Sequence, residues 1–183
     1  MTAMRSAEAV DRTRELFSEH GTGIYRFAAA LTRHAQDAED VVQETFLKLF
    51  QHLEAGGNTD NVRGWLFTVA AHAARDRQRR RMRWLPWSPA YEGRVEASAL
   101  PDEDGRRRAL RASLRHLSDR DRLLLALRAQ GLSYRDIADA AGVKASSVGQ
   151  FLARAIDRWT RAFEEERGVD HEVSFQRADS GRR

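Results

Sequence analysis

The hydrophobic positions between Asn61 and Arg83 change character halfway along the stretch. In the first half, apolar residues recur every three or four positions, as on one face of an α-helix: Val62, Trp65, Leu66, Val69 and Ala73. The second half is a basic run with one acid: Arg75, Asp76, Arg77, Arg79, Arg80, Arg81 and Arg83. The pattern predicts one helix that begins in a protein core and ends in arginines. Such an end attracts a polyanion, although a solvated basic helix end explains the run equally well.

Amphipathic patterns of the same period cover most of the remaining chain and predict an all-α protein. A first helix is expected from about Asp11, with Gly21 and Gly23 interrupting it before a second helical segment. Asp37 is the expected N-cap of the next helix, which runs to about Leu53.

One face of that next helix carries polar residues and one leucine, at spacings of three, four and seven: Asp40, Gln43, Glu44 and Leu47. Spacing alone favours a solvated helix face here. The glycine-rich loop of residues 54–60 follows and leads directly into the helix that begins near Asn61. Loops of this kind carry recognition more often than stability.

The composition changes after Arg83. Residues 84–106 hold all three prolines of the chain and five acidic residues, which predicts an extended acidic linker between two domains. Trp84 and Trp87 are expected to dock on one of these domains. Residues 164–183 show little periodicity after their first turn, so we expect a disordered tail.

The sharpest local motif lies in the second domain. Ser118 and Ser133 are expected helix caps, and a turn at residues 141–143 joins a short helix to a longer one. Ala138 permits close helix crossing, Gly142 permits the turn, and Val148 packs the second helix onto the first. This pattern predicts a helix-turn-helix, with an ordinary helical hairpin as the alternative. The expected inward positions of the long helix are Val148, Leu152, Ile156, Trp159 and Phe163.

The opposite face of the long helix carries groups suited to nucleic acid. Side chains able to reach base edges are Ser147, Gln150, Phe151 and Arg154, whereas Lys144 and Arg158 are placed for phosphate. The net charge is +4. Of the 31 basic residues, 29 are arginine, and the two lysines are Lys48 and Lys144. Guanidinium groups suit phosphate and guanine contacts, although a GC-rich genome explains the same bias.

Composition also argues against several classes of protein. The chain has no cysteine, and its six histidines are scattered, so we expect no metal site, no cofactor and no catalytic residue. We therefore expect that it is not an enzyme. Because no apolar run is long enough to span a bilayer and the N-terminus lacks the apolar core of a signal peptide, a cytoplasmic protein without membrane insertion is expected.

Three segments together resemble the extracytoplasmic-function (ECF) sigma factors of bacterial RNA polymerase: residues 37–50, 61–81 and 117–155. The resemblance covers residues 10–83 and 107–163, in the order of the family and with its linker between. It implies two small helical domains. The first binds polymerase core and recognises and opens the minus-ten promoter element, and the second reads the minus-thirty-five element with its helix-turn-helix.

The resemblance also assigns roles to residues. It implies that the polymerase clamp, in the largest subunit, binds the face of Asp40, Gln43, Glu44 and Leu47, in place of the solvated face favoured above. The implied minus-ten surface is Asn58, Asp60, Asn61, His72, Asp76, Arg79 and Arg80. The implied minus-thirty-five surface is Lys144, Ser146, Ser147, Gln150, Phe151, Arg154 and Arg158. An anti-sigma factor is a further implied partner.

Some positions depart from the pattern of the family. His72 stands where many members carry asparagine, and Gly149 and Phe151 stand where lysine and arginine are frequent. The promoter sequence therefore cannot be copied from other members, and Phe151 is expected to contact a thymine methyl group. An autonomous helix-turn-helix regulator and an RNA-binding protein are the alternative functions. Against the regulator, the sequence shows no heptad repeat for the dimerisation that such proteins need. Against the RNA-binding protein, that function leaves the face of Asp40 unexplained.

Overall fold

The computed structural model describes the backbone of residues 6–84 and 105–180, and the side chains of residues 6–80, 109–110 and 112–167. All regular secondary structure in these ranges is helical. The helices are α1 (Ser6–Thr32), α2 (Ala35–Glu54), α3 (Val62–Trp84), α4 (Gly105–Arg115), α5 (Asp119–Ala129), α6 (Tyr134–Ala141) and α7 (Ala145–Ser180). The predicted linker, with the docking of Trp84 and Trp87, lies almost entirely outside the described residues. We refer to α1–α3 as the N-terminal half and to α4–α7 as the C-terminal half.

Helix α1 is continuous, so the predicted interruption at Gly21 and Gly23 is wrong. Each glycine costs roughly 1 kcal/mol in a helix interior. Burial of the α1 face that contains Leu16, Ile24 and Phe27 outweighs this cost. The Phe27 ring also meets the Phe67 ring of α3 edge to face, with 5.2 Å between centroids.

The predicted N-cap of α2 is also wrong, because His34 caps the helix. His34 has extended backbone angles, and its Nδ1 accepts a hydrogen bond of 3.4 Å from the backbone N–H of Asp37. Asp37 instead lies in the first turn, where the helix dipole favours a carboxylate.

The two halves pack against each other and share one hydrophobic core. Helix α3 contacts α6, and α1 contacts α5. Buried residues of both halves belong to this core, including Leu66 and Ala70 of α3, Leu127 of α5 and Ile137 of α6. The sequence predicted two domains but not a common core between them.

The helix-turn-helix forms as predicted. Ser133 and Asp136 make a capping box at the start of α6, and Gly142 ends α6 in the left-handed region, with φ of 68°. Val148 is fully buried on α7. Ile156 is not inward as predicted, since it is 47% exposed and Ala155 takes the buried position.

The backbone of α7 is helical as far as Ser180. A helix that is already nucleated gains one hydrogen bond for each residue it adds, and residues 164–167 are glutamate and arginine, which favour a helix. The disordered tail of residues 164–183 stays a prediction.

Candidate nucleic-acid and protein interfaces

The face of α2 that contains Asp40, Gln43, Glu44 and Leu47 lies on the surface, and α3 holds part of it in place. Glu44 accepts hydrogen bonds from Arg77 Nη1 at 2.6 Å and from Lys48 Nζ at 2.8 Å. Arg77 Nε lies 3.6 Å from Asp40 Oδ2. The bonds from Arg77 and Lys48 lower the pKa of Glu44, so its carboxylate stays charged. Leu47, on the same face as these paired carboxylates, is 57% exposed.

The loop between α2 and α3 is held by its own polar groups. Asn58 Nδ2 donates to Asp60 Oδ2 at 2.8 Å, and the Asp60 backbone N–H donates to Asn58 Oδ1 at 2.6 Å. The His52 ring lies 3.0 Å from the Asn58 carbonyl oxygen and stacks on Trp65. A Cβ at Gly57 would lie 2.2 Å from the His52 ring, so only glycine fits there without movement of the ring. The sequence had assigned no role to His52 or Gly57.

Asn61 connects this loop to the C-terminal half. Its Oδ1 accepts a hydrogen bond of 3.2 Å from the Gly64 N–H, which caps α3, and its Nδ2 donates to Asp136 Oδ1 at 2.6 Å. Burial alone would raise the pKa of Asp136, but hydrogen bonds from Ser133 and Asn61 outweigh it and lower that pKa. The side chain predicted to meet a promoter base is thus bonded to a charged residue of α6.

The basic run of α3 divides into two groups. Arg79, Arg80, His72 and Asp76 are exposed, as a DNA-binding surface requires. Arg75 instead donates to the carbonyl oxygens of Ala140, at 3.3 Å, and Ala141, at 2.9 Å, at the end of α6. Arg77 bonds to Glu44 as described above. The side chains of Arg81 and Arg83 lie outside the described residues.

The recognition face of α7 is open to solvent at most of its predicted positions, with exposed side chains at Lys144, Ser146, Gln150, Arg154 and Arg158. Ser147 and Phe151 are half-buried. The Arg120 guanidinium lies 3.8 Å from the centre of the Phe151 ring, a cation–π contact that the sequence did not suggest. Arg158 Nη2 donates to Asp121 Oδ1 at 2.7 Å, so this predicted phosphate contact already has a partner within the chain.

The described residues contain no helix long and apolar enough to cross a membrane. Among the same residues, no three histidine, aspartate or glutamate side chains lie close enough together to hold a metal ion.

Comparison with known proteins gives two family matches. Residues 16–83 match Sigma-70 region 2, and residues 107–158 match Sigma-70 region 4. The chain is 45% identical over 92 residues to ECF RNA polymerase sigma factor SigL of Mycobacterium tuberculosis, covering 49% of this chain and 51% of that protein. This match therefore spans about half the length of the relative. The chain is 30% identical over 138 residues to RNA polymerase sigma factor CarQ of Myxococcus xanthus, covering 74% of this chain and 79% of that protein.

Two solved structures share the fold. One is CnrH in complex with the cytosolic domain of CnrY, with a TM-score of 0.61 and 21% identity over 87% of this chain and 95% of that chain. The other is the sigma factor RpoE in complex with the anti-sigma factor NepR from Bartonella quintana. Its TM-score is 0.60 and its identity 22%, over 82% of this chain and 98% of that chain. At this identity the likeness concerns the fold alone.

Proposed function

Since the chain belongs to the ECF sigma factors of bacterial RNA polymerase, we propose that it binds polymerase core and directs it to promoters with two elements. The observation that carries the proposal is the presence of two separate exposed faces with DNA-binding chemistry in one chain. One is the end of α3 with Arg79 and Arg80, and the other is the α7 face with Lys144 and Arg154. The division into residues 10–83, 84–106, 107–163 and 164–183 is part of this proposal.

The α2 face is the proposed contact with the clamp of the largest polymerase subunit. Leu47 is an exposed apolar side chain on this face, and the buried centre of a protein interface is more apolar than the surrounding surface. Arg77 and Lys48 hold Glu44 in one geometry, which lowers the entropy lost when a partner binds. This support is independent of the DNA-binding surfaces.

Magnitudes explain why the chain acts through polymerase. Opening about ten base pairs costs on the order of 14 kcal/mol in stacking, at roughly 1.4 kcal/mol for each step. Capture of an unpaired base returns only about 1 to 3 kcal/mol. In the proposed mechanism, polymerase spaces the two halves, α7 sets the register on duplex DNA, and the loop of Asn58, Asp60 and Asn61 captures bases as they open. His72 and Asp76 complete the minus-ten surface on α3.

The packing of the two halves adds a step to this mechanism. One N–H of the Asn61 amide is bonded to Asp136 and cannot bond to a promoter base at the same time, so in the proposed mechanism this contact breaks before the minus-ten element is read. At the minus-thirty-five element, Ser146, Ser147 and Gln150 are proposed to contact bases, with Phe151 against a thymine methyl group. We propose that the chain acts in the cytoplasm, without catalysis of its own.

An anti-sigma factor is a proposed further partner. RpoE, which shares the fold, is bound to the anti-sigma factor NepR in its solved structure. The exposed Leu47 and the interface between the halves are the surfaces of this chain that such a partner would cover.

Run-off transcription with purified polymerase core, followed by mapping of the start sites, tests the proposal. Specific starts that share two spaced upstream elements are expected with the wild type. Leu47→Asp should abolish them, whereas the matched control Val10→Asp, at an exposed apolar residue of α1, should leave them in place. Promoter binding without polymerase that is unaffected by Leu47→Asp would instead support an autonomous regulator.

A further inference from the structure

An open pocket of about 380 Å³ lies between the two halves. Its apolar lining includes Leu31 of α1 and Leu123 of α5, and three arginines also line it: Arg75 and Arg79 of α3 and Arg120 of α5. We call it the arginine pocket. Arg79 also belongs to the proposed minus-ten surface, but the proposed function uses neither the pocket nor Arg120.

The pocket carries an excess of positive charge. Asp119 is the carboxylate in its lining, and that group already has partners. Its Oδ2 accepts a hydrogen bond of 2.6 Å from Gln78 Nε2, and its Oδ1 pairs with Arg122 Nη1 at 3.1 Å. Three arginines therefore line the pocket with one carboxylate that is already engaged, and the Arg120 guanidinium also contacts the Phe151 ring.

Arg75 shows that these charges are held together at a cost. Burial lowers its pKa, and the nearby charges of Arg79 and Arg120 lower it further, so both effects disfavour its charged form. Two of its five N–H donors bond to the Ala140 and Ala141 carbonyl oxygens, which leaves donor capacity on the same guanidinium. An anion in the pocket would relieve the repulsion among all three arginines.

We propose that the arginine pocket binds a small anion with one or more phosphate groups, and that this ligand joins the two halves. Guanidinium groups form bidentate, charge-assisted hydrogen bonds with phosphate. The volume is that of a small-molecule site, and the pocket is lined from both halves, so a free ligand fits better than a duplex backbone. A ligand that contacts Arg79 of α3 and Arg120 of α5 together stabilises the packed arrangement, in which Asn61 is bonded to Asp136.

Calorimetric titration of the full chain with inorganic pyrophosphate, without polymerase and at constant ionic strength, tests the binding. Saturable binding is expected for the wild type, with affinity at least tenfold weaker in Arg79→Gln and in Arg120→Gln. The matched controls are Arg26→Gln on α1 and Arg161→Gln on α7, which remove exposed arginines away from the pocket and should change the affinity less than twofold. Equal weakening in all four variants, or no saturation, would overturn the proposal.

The absence of cysteine allows a second measurement. Cysteines introduced at the exposed positions Glu39 of α2 and Glu165 of α7 can carry a donor and an acceptor dye. Pyrophosphate should narrow the distribution of distances between the dyes in the wild type but not in Arg120→Gln, with circular dichroism as the check that the variant folds. An unchanged distribution in the wild type would contradict the joining of the halves.

Binding of a short DNA duplex, measured in the same way, distinguishes a free phosphate ligand from the phosphate backbone of DNA. If the arginines serve a duplex backbone, a short duplex will bind with the same dependence on Arg79 and Arg120 while pyrophosphate does not bind, and the proposal is then wrong. These measurements omit polymerase, so their outcome does not depend on whether the transcription assay supports the proposed function.

Discussion

The two proposed DNA-binding surfaces differ in what contacts them within the chain. On α7, Lys144, Gln150 and Arg154 are exposed, whereas Arg158 is bonded to Asp121 and Phe151 lies against Arg120, both within the C-terminal half. At the start of α3, Asn61 is bonded to Asp136, and Arg63 donates to the carbonyl oxygen of Gln130. The contacts of the α7 face therefore lie within the C-terminal half, whereas one residue of the proposed minus-ten surface, Asn61, is bonded to the other half.

This difference follows from where each surface lies. The recognition face projects away from the shared core on one side of α7, because the buried residues Val148, Leu152 and Ala155 lie on the other side. Asn61 and Arg63, at the start of α3, lie beside α6 and the end of α5, so their side chains bond to the C-terminal half. In the proposed mechanism, reading the minus-ten element therefore includes the cost of releasing Asn61 from Asp136.

The largest expected effect concerns the shared core. Leu127→Ala should lower the free energy of unfolding by about 2 to 5 kcal/mol, because Leu127 is fully buried. Trp65 and Trp159 report on the two halves once Trp84 and Trp87 are replaced by phenylalanine. Both fluorescence transitions in urea should shift together. A shift of the Trp159 transition alone would mean that the halves unfold independently and that the core is not shared.

Arg75→Met should strengthen binding at the proposed minus-ten surface more than at the proposed minus-thirty-five surface. It removes two hydrogen bonds from a charged donor to the end of α6, each worth about 1.5 to 3 kcal/mol at most. Binding of a single-stranded minus-ten oligonucleotide should improve roughly tenfold, which corresponds to about 1.4 kcal/mol. Binding of a minus-thirty-five duplex should change by less than about twofold, since the α7 face is already exposed.

The control for this variant is Arg26→Met, which removes an exposed arginine of α1. Equal changes in both DNA ligands would show that the interface between the halves does not discriminate between the two surfaces.

A smaller effect is expected from pH at the α2 face. The bonds from Arg77 and Lys48 lower the pKa of Glu44 in the folded state. Its contribution to stability is therefore fully present above the unfolded-state pKa of about 4.3, and it is lost as the pH falls through the lower folded value. Arg77→Met should reduce the loss of stability on acidification, by less than about 1 kcal/mol because Glu44 is partly exposed.

Urea unfolding at a series of pH values below about 5 measures this difference. Arg26→Met should leave the profile unchanged. Identical profiles for the wild type and Arg77→Met would contradict the assigned cause of the pKa shift.

The smallest effect on stability is expected at Leu47, which contrasts with the core leucines. Leu47→Ser should change the free energy of unfolding by less than about 0.5 kcal/mol, because the side chain is largely exposed. The same variant should bind polymerase core much more weakly in a pull-down with purified components. Unchanged binding would place the polymerase contact away from α2.

Predictions from the sequence held where the determinants are close together in the chain. The caps at Ser118 and Ser133 and the turn at Gly142 were predicted from patterns within four residues, and the structure confirms them. The predicted interruption of α1 at Gly21 was wrong because the burial of α1 residues against distant helices keeps the helix continuous. Ile156 failed because a strict spacing of four does not follow the 3.6-residue turn of a helix over several turns.

The candidate sites show the same limit. Arg120 and His52 had no sequence signal, since their partners Phe151 and Asn58 meet them only through folding. Asp136 belongs to the capping box of α6, but its bond to Asn61, 75 residues away in the chain, required the packing of the two halves. Resemblance assigned the polymerase and minus-ten surfaces, the α7 face was also predicted from its side chains, and the roles of all three stay predictions.

By itself, the sequence determined the helices, the helix-turn-helix and the basic end of α3, because the spacing of apolar residues and the chemistry of caps act over a few positions. The tertiary structure decided how each arginine of that basic end is used. Arg77 bonds to Glu44, 33 positions earlier, and Arg75 to Ala140, 65 positions later, while Arg79 and Arg80 are exposed. All four are arginines on one helix, so only the neighbours brought to each by folding distinguish them.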